Sequence, residues 1–328
     1  MDNPVFILGA HKSGTSLLRS LFDGHPDLYV VPFETHIFNL LDYPISNPYF
    51  ENSKVGAEIM IENFTNHIKS INESNDQYSD SINLNRFDLN VFNSNFVSKH
   101  NTKDIIINYL ESIQKSDLLI DFASNKRIIE KSVTHHEYAL ELSLLFPNAK
   151  FIHLIRNPYA NWVALRKYKS ISKGGPLLYR VAKTFQNNYY YLERNKRSIE
   201  NYHVLKYEDL LSETESTIKS ICSFLDLEFN QSLLSPTKNG EIWSGNSTSN
   251  TKFSSVSTKN IDKWKSSFHP LDIYYVNRLF SSFLKSHNYN LLPTPKGFYK
   301  KLPNEGFVKY IMNRFYSLYT KDYSIEKA

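Results

Sequence analysis

Gly9-Ala10-His11-Lys12-Ser13-Gly14-Thr15-Ser16 gathers two glycines, a lysine and three hydroxyls directly after a short apolar run. Phosphate binding asks for converging backbone N–H groups, a helix N-terminus and a nearby cation, and this segment can provide all three. Gly14 permits close backbone approach, Thr15 and Ser16 place hydroxyls at a helix start, and Lys12 adds charge. Each charge-assisted hydrogen bond to an anion contributes about 1.5–3 kcal/mol. Gly9 and Gly14 keep the spacing of the G-x-x-x-x-G-K-[ST] loop of ATPases and GTPases, but Thr15 stands where its lysine belongs. A lysine ahead of the glycine, as at Lys12, points from the loop's entrance, where it can reach the bridging oxygen of a leaving group.

Three further segments carry chemistry. Phe33-Glu34-Thr35-His36 follows an apolar run, so Glu34 is either an acid/base group facing a ligand crevice or a helix-start carboxylate steadied by the dipole. His36 can orient Glu34 or bond a substrate. Ile129-Glu130-Lys131-Ser132 ends a second run in a cation, which is either functional or a surface strand-end lysine. Lys150-Phe151-Ile152-His153-Leu154-Ile155 ends in Arg156-Asn157-Pro158, where an arginine ahead of a helix can hold phosphate in two-pronged fashion.

The elements that must position these residues read as an α/β chain. Val5–Leu8, Leu28–Val31, Ile128–Lys131, Lys150–Ile155 and Tyr202–Tyr207 are strand candidates. Their continuous apolar runs, as opposed to alternation, indicate parallel strands buried on both faces. Helical patterns follow at Ser16–Phe22, His135–Phe146, from Pro158 onward and at Glu213–Leu225. The predicted architecture is a P-loop-like parallel β-sheet flanked by helices on both faces, in a single domain over 1–328. Residues 45–125, rich in Asn, Ser and Asp, are expected to form a helical insertion or lid with patches at Gly56–Ile71 and Ile105–Lys115. Residues 232–263 are expected to be a polar loop over the site, and 295–328 a basic amphipathic helical tail.

Composition limits the function classes. Hydrophobic content of 41% with 14% aromatics excludes wholesale disorder. A net charge of +5 suits an anionic ligand but falls short of a nucleic-acid binder's dense basic patch. The single cysteine, Cys222, lies in a helical apolar pattern and reads as core. No apolar run approaches the length of a membrane span, and a cytoplasmic enzyme is the expectation. Neither D-x-D nor H-E-x-x-H spacing occurs near the loop, so no metal is expected.

Lys12-Ser13-Gly14-Thr15-Ser16 after a first strand, followed by His25-Pro26, resembles the 5′-phosphosulfate loop of sulfotransferases that use 3′-phosphoadenosine 5′-phosphosulfate (PAPS) as donor. The resemblance continues through Glu34, Lys131, Arg156 and Tyr207. It assigns Lys12, Ser13, Gly14, Thr15 and Ser16 to the donor's 5′ end and Arg156 to its 3′-phosphate. It places Tyr207 near the nucleotide, and Ser257, Lys259 and Trp264 in a segment that closes over it. Glu34-Thr35-His36-Ile37-Phe38 is similar to the segment bearing the base in glycan and protein-tyrosine sulfotransferases. The resemblance therefore makes Glu34 the base, Lys131 a contact of the transferring group and His36 its neighbour.

Two positions depart from the family pattern. Small-molecule sulfotransferases carry a catalytic histidine two residues past the equivalent of Lys131; here that position is Val133, which moves no proton. His135 and His136 are out of register, so the base falls to Glu34, which points to a glycan acceptor before a peptide tyrosine or a small molecule. A serine usual eight residues past the arginine is Ala164, leaving Asn161, Arg166 or Lys167 as substitutes. Two other classes stay open: a P-loop nucleotide kinase, disfavoured by the displaced lysine, and a catalytically silent nucleotide- or glycan-binding module, for which Ala164 gives a foothold.

Overall fold

A computed structural model of the protein describes residues 3–40, 54–73, 86–96, 102–119, 126–173, 178–238, 240–243, 245, 255–268 and 270–294. The predicted tail at 295–328 and the remaining parts of the 45–125 and 232–263 segments lie outside these residues.

Five apolar runs form one parallel sheet: β1 (Val5–Gly9), β2 (Leu28–Val30), β3 (Arg127–Lys131), β4 (Lys150–Ile155) and β5 (Tyr202–Lys206), in the order β2-β3-β1-β4-β5. The interior strands are closed to solvent on both faces, as runs made mostly of Val, Ile, Leu and Phe require, and the polar Glu130 and His153 within them are buried as well. One face packs Val5, Ile7, Ile129, Ile152 and Leu154 against α1 (Thr15–Phe22) and a later helix, Thr214–Leu225. Cys222 is buried in that layer, and burial pushes its thiol pKa up.

The opposite face meets the insertion. Helices α2 (Ile37–Leu40), α3 (Lys54–Glu73), α4 (Leu89–Asn95) and α5 (Thr102–Ser116) enter the sequence between β2 and β3. Phe64 and Ile68 of α3, Phe92 of α4 and Ile106, Tyr109 and Leu110 of α5 share one apolar cluster with Phe6, Leu8, Tyr29 and Phe151 of the sheet. A buried polar clasp ties the same parts together. Arg86 donates to Asp117 (Nε–Oδ1, 2.8 Å), and the Tyr29 hydroxyl of β2 donates to the same carboxylate at 3.0 Å. Asp117→Ala strands the Arg86 guanidinium without this carboxylate in the interior and is expected to cost about 3–5 kcal/mol. A denaturant titration against wild type measures it.

The 3₁₀ turn Val133–Tyr138 and α6 (Ala139–Leu145) follow β3, where a single helix from His135 is predicted. The turn stays tight because His135 is drawn under it by a buried carboxylate described below. Beyond β4 come α7 (Pro158–Lys173) and α8 (Leu178–Ser198); beyond β5, α9 (Tyr207–Ser212) and α10 (Thr214–Leu225). The polar 232–263 segment contains a small antiparallel hairpin, β6 (Thr237–Lys238) with β7 (Glu241–Ile242). Asp23, at the end of α1, accepts from the Thr237 hydroxyl and the Gly240 N–H and pins that hairpin to the domain. The last described helix is α11 (Pro270–Ser286).

Candidate active site

The residues that carry the chemical argument cluster at the C-terminal ends of the sheet strands, where parallel α/β sheets form their ligand crevices. The donor-type loop follows β1, Glu34 follows β2, Lys131 ends β3, Arg156 follows β4 and Tyr207 follows β5.

The loop turns tightly, with Ser13 N–H bonded to Ala10 carbonyl at 3.1 Å. Lys12 (φ 64°) and Gly14 (φ 105°) adopt left-handed backbone. Gly14 is the N-cap of α1, and no side chain caps that end, so its leading N–H groups are not taken by a cap. Glycine is required at 14 for a second reason: a Cβ there would strike the ring of Tyr207. Gly14→Ala combines a left-handed backbone penalty of about 1–2 kcal/mol with that collision. It is expected to weaken donor affinity by about tenfold or more, read by calorimetry.

Arg156 and Asn161 brace the loop from the β4–α7 side. Arg156 Nη1 donates to the Lys12 carbonyl at 2.9 Å, and its guanidinium lies 4.7 Å from the centre of the Tyr207 ring. Asn161 Nδ2 donates to the His11 carbonyl at 2.9 Å. The sequence itself presents Arg156 here. Pro158 starts α7 with φ preset for the first turn, and Asn157 Oδ1 accepts the Tyr159 N–H at 3.0 Å. The Ser13 hydroxyl, 1% exposed, has no hydrogen-bond partner in the protein, an orphan in the loop's floor. Lys12 Nζ lies 4.5 Å from the centre of the Tyr168 ring, on which the His11 imidazole also stacks.

Glu34 and Lys131 form a close ion pair across the crevice, with 24% and 3% side-chain exposure respectively. Val133 N–H also donates to Glu34 at 3.5 Å. Burial alone would raise the Glu34 carboxyl, but Lys131, with help from His11 and His36, holds it down at about 2. His36, in a left-handed conformation (φ 49°), brings Nε2 to 3.8 Å from the Glu34 carboxylate and leaves 40% of its side chain open.

Beneath this pair lies a buried network that the sequence reading missed. Glu130 accepts from the Thr35 hydroxyl (2.8 Å), the Ser132 hydroxyl (2.6 Å) and His135 Nδ1 (2.8 Å). Burial alone would raise its pKa, but the neighbouring His135 and these hydrogen bonds outweigh that and hold the carboxyl below the usual carboxylate range. The network ties the Glu34 loop to the Lys131 strand end. A second unforeseen residue is His67 on α3, whose Nε2 lies 3.2 Å from the Glu34 carbonyl. Glu130 was in view as part of a motif; His67 had no signal beyond being a histidine on an apolar helical stripe.

Other expected residues take different places. Arg166 is held by Asp272 (Nη1–Oδ2, 2.6 Å), which also accepts from Trp162 Nε1, and Lys167 bonds Ser267 Oγ. Of the three substitutes for the missing serine, Asn161 is the one seen bonded to the loop, through the His11 carbonyl. The fully buried Asp272 recruits Arg166 into a structural ion pair. Ser257 and Lys259 are exposed and bonded to one another, while Val256 packs on the same apolar layer as Leu17 and Tyr207. Trp264 stacks on Tyr159 of α7. His25 is a structural bridge, with Nε2 donating to the Glu228 carbonyl. Among the described residues no three His, Cys, Asp or Glu side chains are grouped to hold a metal ion. No described helix is long and apolar enough to cross a membrane.

Known proteins share this framework. The sulfotransferase domain from the Synechococcus PCC 7002 olefin synthase covers 89% of this chain and 98% of its own, with a TM-score of 0.55 and 21% identity. The sulfotransferase domain from the curacin biosynthetic pathway covers 89% and 99%, with a TM-score of 0.57 and 23% identity. Both show the same fold. Among curated relatives, an uncharacterized protein of Aquifex aeolicus is 24% identical over 70% of this chain and 26% of its own length. The omega-hydroxy-beta-dihydromenaquinone-9 sulfotransferase Stf3 of Mycobacterium tuberculosis is 26% identical over 32% of this chain and 30% of its own. The aligned parts are thus about a quarter to a third of those relatives' lengths. A model of the sulfotransferase family matches residues 4–231, from β1 through the Glu34, Lys131, Arg156 and Tyr207 strand ends, and the chain belongs to that family.

Proposed function

We propose that the protein transfers a sulfuryl group from PAPS to a hydroxyl or amine of an acceptor. One observation carries this reading: the Gly9–Ser16 loop, Arg156 and the Glu34–Lys131 pair converge on one edge of the sheet. The residues fit such a donor. The buried, unpartnered Ser13 hydroxyl and the α1 N-terminus suit the 5′ end, and Arg156 beside Tyr207 suits the 3′-phosphate.

In the proposed reaction the acceptor's oxygen or nitrogen bonds to sulfur as the bond from sulfur to the 5′-phosphate oxygen breaks. Glu34 takes the acceptor's proton. Lys12 and Lys131 stabilise charge on the departing oxygen and the transferring group. The adenosine 3′,5′-bisphosphate leaves with the electron pair of the broken bond. Glu34 is ionised throughout the physiological range, so it is ready to accept a proton. Its basicity rises when Lys131, the chief cause of its low pKa, turns to the incoming anion.

The Glu34-Thr35-His36 resemblance favours a glycan as acceptor. The name of Stf3, a menaquinone sulfotransferase, sets a hydroxylated lipid beside it as a second reading. Transfer of labelled sulfate from PAPS onto a panel of glycans, hydroxylated polyprenyls, peptides and small phenols tests both. A thermal shift settles the donor class. Adenosine 3′,5′-bisphosphate at a hundredfold excess over its Kd is expected to stabilise the protein by about 2.7 kcal/mol. Stabilisation by ATP–Mg²⁺ in its place, with no sulfate transferred, overturns the reading in favour of a phosphotransferase.

A further inference from the structure

The segment that carries Glu34 belongs to no strand or helix: it lies between β2, which ends at Val30, and α2, which starts at Ile37. Side chains do the work that a hydrogen-bond ladder would do elsewhere. Thr35 N–H and hydroxyl are both tied to Glu130, and His36 N–H reaches the Ser132 hydroxyl at 3.3 Å. Those anchors come from β3 and its exit and fix the residues after Glu34. The carbonyl of Glu34 itself is met from the other side, by His67 Nε2 of the insertion helix α3. A carbonyl only accepts, so Nε2 carries the proton. The His67 ring also packs edge-on against Phe33 (5.7 Å) and His36 (6.1 Å), the neighbours that flank Glu34.

We propose that His67 is a positioning residue for the Glu34 base, its imidazole N–H fixing the Glu34 peptide so that the carboxylate faces the acceptor. This rests on the reading of Glu34 as the base. The insertion then acts on the chemistry through one hydrogen bond, in addition to bounding the crevice. Holding a catalytic group on irregular backbone requires such outside support, because a misplacement of about 1 Å can lower a rate about a hundredfold.

Three variants separate the hydrogen bond from packing. His67→Phe keeps an aromatic ring against Phe33 but removes the donor, and His67→Gln restores an N–H at similar reach. His67→Met is a second apolar replacement should the phenylalanine fail to fold. With PAPS and an accepted sulfate acceptor, His67→Phe is expected to lower kcat by about tenfold or more while donor affinity stays at the wild-type value. His67→Gln is expected to recover most of that loss. In a Glu34→Gln background His67→Phe should add little, since the group it positions has already been disabled. Wild-type kcat in His67→Phe, or an equal loss in both backgrounds, overturns the proposal and leaves His67 a packing residue. Normal turnover in Glu34→Gln alone instead removes the reading of Glu34 as the base.

Discussion

Glu34→Gln is expected to lower kcat by about 10²–10⁴-fold, the usual worth of a positioned general base, with donor affinity largely preserved. Glutamine keeps the shape of the side chain and can still accept from Val133 N–H, so the loop that Glu130 and His67 hold in place should not move. It cannot take the acceptor's proton. In the proposed site the donor rests on the Gly9–Ser16 loop and Arg156, and loss of a negative charge beside an anionic ligand gives no reason for weaker affinity. Steady-state kinetics with labelled PAPS, paired with calorimetry using adenosine 3′,5′-bisphosphate, separate the two effects. Turnover at the wild-type rate would remove Glu34 from the mechanism.

The second large effect belongs to Lys131. Lys131→Met removes the ammonium that holds the Glu34 carboxyl near 2, while burial, which acts the other way, remains. The carboxyl should therefore titrate above its ordinary range, visible by carbon-13 NMR of labelled glutamate. In the wild type the Glu34 pKa is depressed on folding, so the pair's stabilisation is present above the ordinary carboxylate pKa and fades as pH falls toward about 2. In the variant the sign reverses: the unpaired carboxylate destabilises most at neutral pH and less as acid protonates it. The neutral-pH loss should be about 3 kcal/mol, the low end for a broken buried pair, because a quarter of the Glu34 side chain stays open. Turnover should fall by about 10²–10³-fold through loss of charge stabilisation at the transferring group. A melting temperature that does not depend on pH in this variant would show the pair to be inert.

Much of the framework was legible because parallel strands write themselves as unbroken apolar runs. Val5–Leu8 and Lys150–Ile155 are each followed by residues that break the apolar run, a glycine-containing loop in one case and an arginine in the other. The crevice at strand ends follows from topology once the strands are found. Less legible was everything set by long-range pairing. Asn161 and Arg166 are five residues apart on α7 and so point about 140° apart; Asn161 meets the loop, while the distant Asp272 holds Arg166. The place of helices α8 and α11 in the fold depends on the aromatic cluster of Trp162, Phe185 and Phe280. His67 is separated from Glu34 by residues whose polar composition suggested a cover over the site, whereas α3 to α5 build part of the interior. Sequence spacing holds no trace of that contact.

The strand order has a consequence for how the protein is made. Among the described residues β2 pairs only with β3, its Val30 facing Ile129, and β1 pairs with β3 and β4. On a ribosome adding about 5–20 residues per second, roughly 5–20 seconds separate the emergence of β2 from that of its partner. Throughout that interval Val5–Leu8 waits without neighbours, an apolar stretch open to chaperones or to other unfinished chains. The glycine loop is thus translated well ahead of the residues that shape it, since Arg156 and Tyr207 must both arrive before it can set.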